Sequence, residues 1–182
     1  MAGSETAVET RGKFGGRALD SIMNLDGLDH ASSVRGRSVL ALEALLVDAV
    51  DLFTHVKQAR WNVKGPNARE MHLLFDEAAA SIQDHADVLA DRITTLGARA
   101  DATARIVGRR SRLPEYPPAL EGPNEHLRAL GERLGVYTQA AQSALDAATE
   151  SGDIETTDVL FDTVHRADKL TWLLFAHVDL DY

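Results

Sequence analysis

The sequence lacks cysteine entirely and has few aromatic residues. Without cysteine, a disulfide framework, an iron–sulfur cluster, a zinc site with Cys ligands and a Cys nucleophile are all excluded. The 182 residues include only two Trp, three Tyr and five Phe, although 45% of the chain is hydrophobic, much of it Ala and Leu. Strands favour aromatic and β-branched side chains, so this composition favours packed helices in one domain of ordinary size.

The sequence also lacks an excess of basic charge and any long apolar run. Lys and Arg number 19 against 28 Asp and Glu, and the resulting formal net charge of −9 disfavours nucleic acid as a partner. No segment reaches the roughly 18 uncharged apolar residues of a membrane span. The N-terminal residues contain no apolar core of a secretory signal. We therefore expect a cytoplasmic protein with no membrane association.

Apolar residues recur at intervals of three and four along four segments, a spacing typical of amphipathic helices that pack into a bundle. The first three segments span about residues 38–63, 68–96 and 124–149, and the fourth runs to about residue 178. Loop residues separate the segments. Gly97 is suited to end the second helix, and Asp153 is suited to cap the N-terminus of the fourth. The first stripe places a charged residue, Arg60, at a position that faces inward.

The connections predict the order of the helices in space. The link across residues 98–122 is long, with room for a short helix near residues 103–108, and such a crossover joins two helices that run in the same direction. One long crossover and two short links predict an all-α, ferritin-like four-helix bundle in residues 36–182. Residues 1–35 are rich in Gly, Ser and charge, which predicts a mostly flexible N-terminal arm with a short ordered piece near residues 21–28.

The second helix carries a histidine and three aspartates near one stripe. His72 and Asp76 are four residues apart and share a face, and Asp87 and Asp91 repeat that spacing. Histidine and carboxylate ligands together suit iron, manganese or zinc. Carboxylates at this spacing are also common on solvated helix faces, so the pattern has an ordinary surface interpretation as well.

Distance divides these four residues into two pairs. At about 1.5 Å per residue, Asp76 and Asp87 lie roughly 16 Å apart along the helix, and His72 and Asp91 roughly 28 Å, so one chain cannot bring all four to one metal. The segments 72–91 and 76–87 nevertheless share a midpoint, between residues 81 and 82. Two copies of the helix, packed antiparallel about a two-fold axis there, would form a dimer with two shared sites.

Several motifs in order resemble the Dps family, the miniferritins or DNA-binding proteins from starved cells. Residues 57–67 read KQARWNVKGPN, and MH at 71–72, LFDE at 74–77, DVLADRI at 87–93, SRLP at 111–114 and DKL at 168–170 follow. The resemblance covers about residues 38–178. It implies a hollow dodecamer that oxidises Fe(II), usually with hydrogen peroxide, and stores the ferric iron, with a ferroxidase centre between subunits related by two-fold symmetry.

The resemblance carries over to individual residues with two departures. His72, Asp76 and Asp87 stand at family ligand positions, whereas Asp91 replaces the usual Glu and Arg60 replaces the family's first His. Arginine has no lone pair to offer a metal. We expect Arg60 to form an ion pair with Asp76 or Asp91 and to lower the affinity for iron. The alternative is that Arg60 swings away and contacts another chain.

Other residues receive roles only through the resemblance. Trp61 would lie beside the centre and quench stray oxidising equivalents, or it would simply be a packed aromatic at the helix end. Glu155, Asp158 and Asp162 share one face of the fourth helix, and acids in this part of the family chain line a pore that admits iron. The alternative for these acids is an ordinary solvated face.

Two further expectations concern residues outside this site. Asp48, Asp51 and His55 share one face of the first helix, and we expect them at the surface; His126 has no partner pattern and is given no role. DNA binding is doubtful because neither end of the chain is rich in Lys. The rival functions are therefore a Dps-like shell with little or no ferroxidase activity, acting as an iron-binding or structural assembly, and a DNA-compacting protein.

Overall fold

Four long helices and one short helix make up the part of the chain that the structure describes. The computed structural model describes residues 25–65 and 67–177, with side chains from residue 32 onward. The helices are α1 (Leu25–Asn62), α2 (Ala68–Thr95), α3 (Ala104–Arg110), α4 (Pro123–Ser151) and α5 (Ile154–Phe175). The described part of the chain contains no strand, and α3 lies within the long crossover, as the sequence predicts. None of the helices in this part is both long and apolar enough to cross a membrane.

Helix α1 begins at Leu25, well before the start that the apolar stripe predicts near residue 38. Residues 25–37 are mostly polar and small, so no periodic apolar pattern marks them, but they contain no proline to stop a helix. The core described below belongs to the unit Val34–Tyr182. Residues 1–24 lie outside the described residues, so the division into a flexible arm and a bundle stays a prediction.

One hydrophobic core joins the four long helices. Burial of each large apolar side chain stabilises the fold by about 1.5–3 kcal/mol. The predicted stripes supply this core, with Leu42 and Val56 from α1, Phe75 and Leu89 from α2, Leu130 and Leu134 from α4, and Leu160 and Leu174 from α5. Helix α5 packs against both α4 and α2.

The link between α4 and α5 is short because two residues complete it. Gly152 adopts a left-handed conformation, with φ of 73°, and ends α4. Asp153 then caps α5 by accepting a hydrogen bond from the backbone N–H of Thr156, as predicted. The tight link makes α4 and α5 a helical hairpin.

Asp153 also ties α5 to two other helices. Its carboxylate accepts a hydrogen bond of 2.6 Å from the Ser38 hydroxyl on α1 and one of 3.0 Å from the Arg92 guanidinium on α2. Burial alone would raise the pKa of Asp153, but the hydrogen bonds from Ser38 and Thr156 and the charge of Arg92 outweigh it and lower the pKa. Three helices therefore meet at one ionised carboxylate.

The crossover is fastened to a polar face of α1, which corrects one expectation. Asp48, expected at the surface, is 0% exposed and accepts hydrogen bonds from the backbone N–H and the guanidinium of Arg112. Ser111 donates to Asp51, which lies 3.4 Å from the imidazole of His55. His55 is buried as well. The sequence pattern predicts Asp48 and Asp51 at the surface because the crossover residues that cover them, Ser111 and Arg112, are about 60 residues away along the chain.

Replacing Asp153 with Ala should lower the free energy of unfolding by about 2 kcal/mol, since it removes a helix cap and a partner of Arg92. Thermal and urea unfolding at fixed protein concentration measure this loss. Asp168→Ala, an exposed position on the same helix, is the control and should change stability little.

The same variant has an expected pH dependence. Because folding lowers the pKa of Asp153, its contribution is complete above the ordinary range of an aspartate, about pH 4, and is lost as the pH falls through the lower folded value. The difference between the parent chain and Asp153→Ala should therefore shrink in acid. An equal difference at every pH would argue against an ionised Asp153 as its source.

Candidate metal centre

Two basic side chains of α1 hold the carboxylate of Asp76 on α2. The Arg60 Nε donates to Oδ2 at 3.0 Å, and the Lys57 Nζ donates to Oδ1 at 3.1 Å. The ion pair predicted for Arg60 is thus present, and its partner is Asp76. Lys57 was missed, although it lies three residues before Arg60 and so shares its helix face.

The two cations change the electrostatics of Asp76. The hydrogen bonds from Arg60 and then Lys57 lower its pKa, so the carboxylate is ionised at neutral pH. The side chains of all three residues are partly exposed, so each ion pair contributes modestly to stability. Their chemical effect is larger, because both oxygens of a candidate metal ligand already have a positively charged partner.

The other three candidate ligands lie along the outer side of α2. His72 is half-buried, one turn from Asp76, while Asp87 and Asp91 are exposed. Within residues 32–65 and 67–177, no three His, Asp or Glu side chains lie together in a way that could hold a metal ion. A site made from all four residues therefore needs a second copy of the helix, as their spacing predicts.

Trp61, at the C-terminal end of α1, is 68% exposed. Within one chain it is not the packed aromatic of the alternative interpretation. Leu73, on α2 next to His72, is exposed to a similar degree. Large apolar side chains at the surface beside polar candidates are typical of surfaces that contact another molecule.

The three acids of the candidate pore differ in their partners. Glu155 accepts a hydrogen bond from Arg92, and Asp162 accepts one of 2.6 Å from Arg166, one turn later on α5. Asp158 is exposed and forms no ion pair with the described residues. Of the three acids, Asp158 is the one whose negative charge is not balanced by an arginine among the described residues.

Comparison with known proteins identifies the family. A family model of the ferritin-like domain matches residues 39–181. The chain is 33% identical over 150 residues to the DNA protection during starvation protein of Agrobacterium fabrum, an alignment that covers 82% of this chain and 93% of the relative. The chain belongs to the Dps family of ferritin-like proteins.

Solved structures of the Dps family agree with this assignment. Dps from Microbacterium arborescens in the high iron form superposes with a TM-score of 0.75 at 27% identity, over 81% of this chain and 95% of that chain. The Dps protein of Vibrio cholerae O1, described as a member of a broad superfamily of ferritin-like diiron-carboxylate proteins, gives 0.74 at 25% identity, over 79% and 90%. The ferritin-like fold predicted for this Dps chain is confirmed.

A buried polar cluster lies where the crossover of this Dps chain meets the bundle, and the sequence analysis missed it. The Tyr116 hydroxyl is 2.7 Å from Nδ1 of His126, and the Arg133 guanidinium lies 5.5 Å from the centre of the Tyr116 ring. The ring of His55 is 5.3 Å from that of Tyr116. No local pattern marks these residues, since they come from α1, the crossover and α4.

The inner side of α2 carries another buried histidine. His85 is 4% exposed, and neither ring nitrogen has a hydrogen-bond partner among the described residues. Burial lowers the pKa of His85 to about 4, with the charge of Asp162 acting in the opposite direction. The imidazole is therefore neutral at pH 7.

Replacing His85 with Leu should make this Dps chain less sensitive to acid. Between pH 6.5 and about pH 4 the unfolded histidine binds a proton that the folded one does not, so stability falls as the pH drops. Urea unfolding at pH 8 and pH 5, at fixed protein concentration, should show a smaller loss of stability in the variant. His165→Leu, at an exposed position on α5, should leave the loss unchanged; equal slopes in the parent and in His85→Leu would contradict the assignment.

Proposed function

We propose that this chain is a miniferritin that binds and oxidises Fe(II), with hydrogen peroxide as oxidant, and stores the ferric iron inside a dodecameric shell. Membership of the Dps family supports this proposal, as do relatives described as a high iron form and as diiron-carboxylate proteins. Net charge and composition fit a cytoplasmic assembly without membrane contact. Fe(II) is the substrate of the reaction, and ferric mineral is the stored product.

The oxidation site in this proposal is shared between two copies of the chain. His72 and Asp76 of one copy would face Asp87 and Asp91 of the other across an antiparallel contact between α2 helices. This donor set of one imidazole and three carboxylates fits iron. The exposure of Asp87 and Asp91 supports the arrangement, because both are free to meet a second chain.

Arg60 and Lys57 make this centre an altered one. Iron must compete with two fixed positive charges for the oxygens of Asp76, and a nearby cation repels the approaching metal ion. Asp91 is also one methylene shorter than Glu, so its carboxylate reaches less far. Both changes act in the same direction, toward weaker binding of Fe(II).

A second candidate function follows from the same contacts. If Arg60 and Lys57 keep Asp76 occupied, the shell has little ferroxidase activity and acts as an iron-binding or structural assembly. DNA is not part of either proposal, because a chain of net charge −9 repels a polyanion through the electrostatics that dominate DNA affinity.

Anaerobic Fe(II) titration followed by hydrogen peroxide tests the main proposal. Ferric product and peroxide consumed per chain are compared for the parent, Arg60→His and His72→Ala. Arg60→His removes one cation from Asp76 and supplies a ligand, so it should raise the oxidation rate about tenfold or more. His72→Ala should abolish oxidation above a protein-free control.

The control is Arg69→His, which adds a histidine at an exposed position on α2 and should leave the rate unchanged. Oxidation by the parent no faster than the protein-free control, together with a gain in Arg60→His, would favour the shell with little ferroxidase activity. No gain in Arg60→His and no loss in His72→Ala would contradict the shared centre.

Iron uptake should depend on Asp158 more than on its neighbours. Asp158→Asn removes the acid that has no ion pair, whereas Asp162 is already paired with Arg166. We expect slower ferric core formation in Asp158→Asn, a smaller effect in Asp162→Asn and none in Asp168→Asn, with assembly intact in size-exclusion chromatography. Equal uptake rates in all three variants would exclude a pore at this face.

A further inference from the structure

Tyr116 and His126 form a buried hydrogen-bonded pair that the iron chemistry does not use. Their side chains are 8% and 1% exposed, and the phenol oxygen lies 2.7 Å from the imidazole Nδ1. The two rings are stacked, with centroids 6.1 Å apart and planes 10° from parallel. The hydrogen bond therefore connects two groups that are largely shielded from water.

We assign the Tyr116 hydroxyl as the donor of this hydrogen bond, although Nε2 of His126 is buried without a hydrogen-bond partner among the described residues. A buried tyrosine hydroxyl needs an acceptor, and Nδ1 of His126 is the one that the described residues provide. A neutral imidazole that accepts at Nδ1 carries its proton on Nε2. Burial lowers the pKa of His126, which keeps the ring neutral, while the Glu125 carboxylate and the Leu120 carbonyl act in the opposite direction.

The surroundings favour loss of a proton together with an electron. The Arg133 guanidinium lies 5.5 Å from the Tyr116 ring centre and is fixed by the Ala129 carbonyl and the Glu132 carboxylate. A fixed cation disfavours a positively charged, oxidised phenol. Oxidation of Tyr116 thus becomes feasible when the proton leaves with the electron, and the nearby imidazole is its acceptor.

We propose that Tyr116 is a redox-active tyrosine that gives an electron to a strong one-electron oxidant while its proton moves to Nδ1 of His126. The source of the oxidant, Fe(II) reacting with hydrogen peroxide, rests on the proposed function. The pair itself does not, since its geometry lies within one chain. Its role is to capture oxidising equivalents before they damage other side chains.

The reaction balances with a hydroxyl radical as the oxidant. The phenolic O–H bond breaks, an N–H bond forms at Nδ1, and the products are a neutral tyrosyl radical and an imidazolium. The electron converts the hydroxyl radical to hydroxide. Fe(II) then returns an electron to the tyrosyl radical and becomes Fe(III), and the proton moves back from the imidazolium to the phenolate oxygen.

Ring contacts connect this pair to the helix turn of the candidate metal centre. The ring of His126 lies 6.4 Å from the ring of Phe75 in an edge-on arrangement. Phe75 directly precedes Asp76 on α2. Two ring contacts, Tyr116 to His126 and His126 to Phe75, therefore link Tyr116 to the helix turn that carries a candidate iron ligand. These contacts offer a short path for electron transfer.

The chain contains its own control residue. Tyr137 is also buried, but its hydroxyl has no hydrogen-bond partner among the described residues. Burial raises the pKa of both tyrosines, so the two differ mainly in the proton acceptor. A radical that depends on His126 should form on Tyr116 and not on Tyr137.

Photochemical oxidation of the iron-free, assembled protein tests the pair without the iron reaction. A photoexcited ruthenium complex with a sacrificial electron acceptor supplies the oxidant, and electron paramagnetic resonance detects the radical. We expect a neutral tyrosyl signal that changes shape when the tyrosine rings are deuterated. In a chain that also carries Tyr182→Phe, so that no third tyrosine contributes, Tyr116→Phe should remove the signal, whereas Tyr137→Phe should keep it.

His126→Gln provides a second test that a structural role would not mimic. If the proton moves to His126, the parent forms the radical more slowly in D2O, and the variant loses that isotope effect. Correct assembly of each variant is checked by size-exclusion chromatography. A signal that survives Tyr116→Phe, or that disappears in Tyr137→Phe, overturns the proposal.

A final arm repeats the measurement with Fe(II) and hydrogen peroxide. The same Tyr116 signal in this arm links the pair to the iron reaction. If the signal appears only with the photochemical oxidant, the redox-active pair stands and the proposed iron–peroxide chemistry fails as its source. If it appears in neither arm, the redox role of Tyr116 is wrong, whatever the ferroxidase activity.

Discussion

The stiffness of α2 is the constraint on which the candidate centre depends. A straight helix fixes the distance between its residues, so His72 and Asp76 cannot approach Asp87 and Asp91 of the same chain. Flexible loops could have closed that gap, but all four residues lie within Ala68–Thr95. Any site that uses both pairs must form by assembly, and folding of a single chain prepares only half of it.

Within that half-site, the charges of α1 decide what Asp76 can do. Arg60 and Lys57 each donate to one oxygen of its carboxylate, so in the isolated chain ion pairs occupy the oxygens that a metal would need free. The stabilisation of such exposed pairs is small, and a divalent cation with several ligands can outcompete it. Under the proposed function, the balance between these two states, rather than the fold, would set the ferroxidase activity.

The sequence predicted the helices well because burial repeats along them. The apolar stripes through Leu42, Phe75, Leu130 and Leu174 mark the core, and Gly152 with Asp153 marks a helix junction. What periodicity could not reveal was contact between distant segments. Asp48 looks like a surface acid until Arg112 of the crossover covers it, and Lys57 gains importance only from its distance to Asp76. The early start of α1 was missed because residues 25–37 carry no periodic apolar pattern.

Arg92 fastens the C-terminal end of α2 to the start of α5. Asp91 is exposed, while its neighbour Arg92 reaches the start of α5 and holds Asp153 and Glu155. Successive helix positions are turned by about 100° about the helix axis. One residue inserted or deleted between Asp76 and Asp91 would therefore turn Asp91 and Arg92 together by about 100° relative to Asp76. Changes in the number of residues in this helix are therefore far less tolerable than substitutions, and relatives should vary in length at their loops and ends instead.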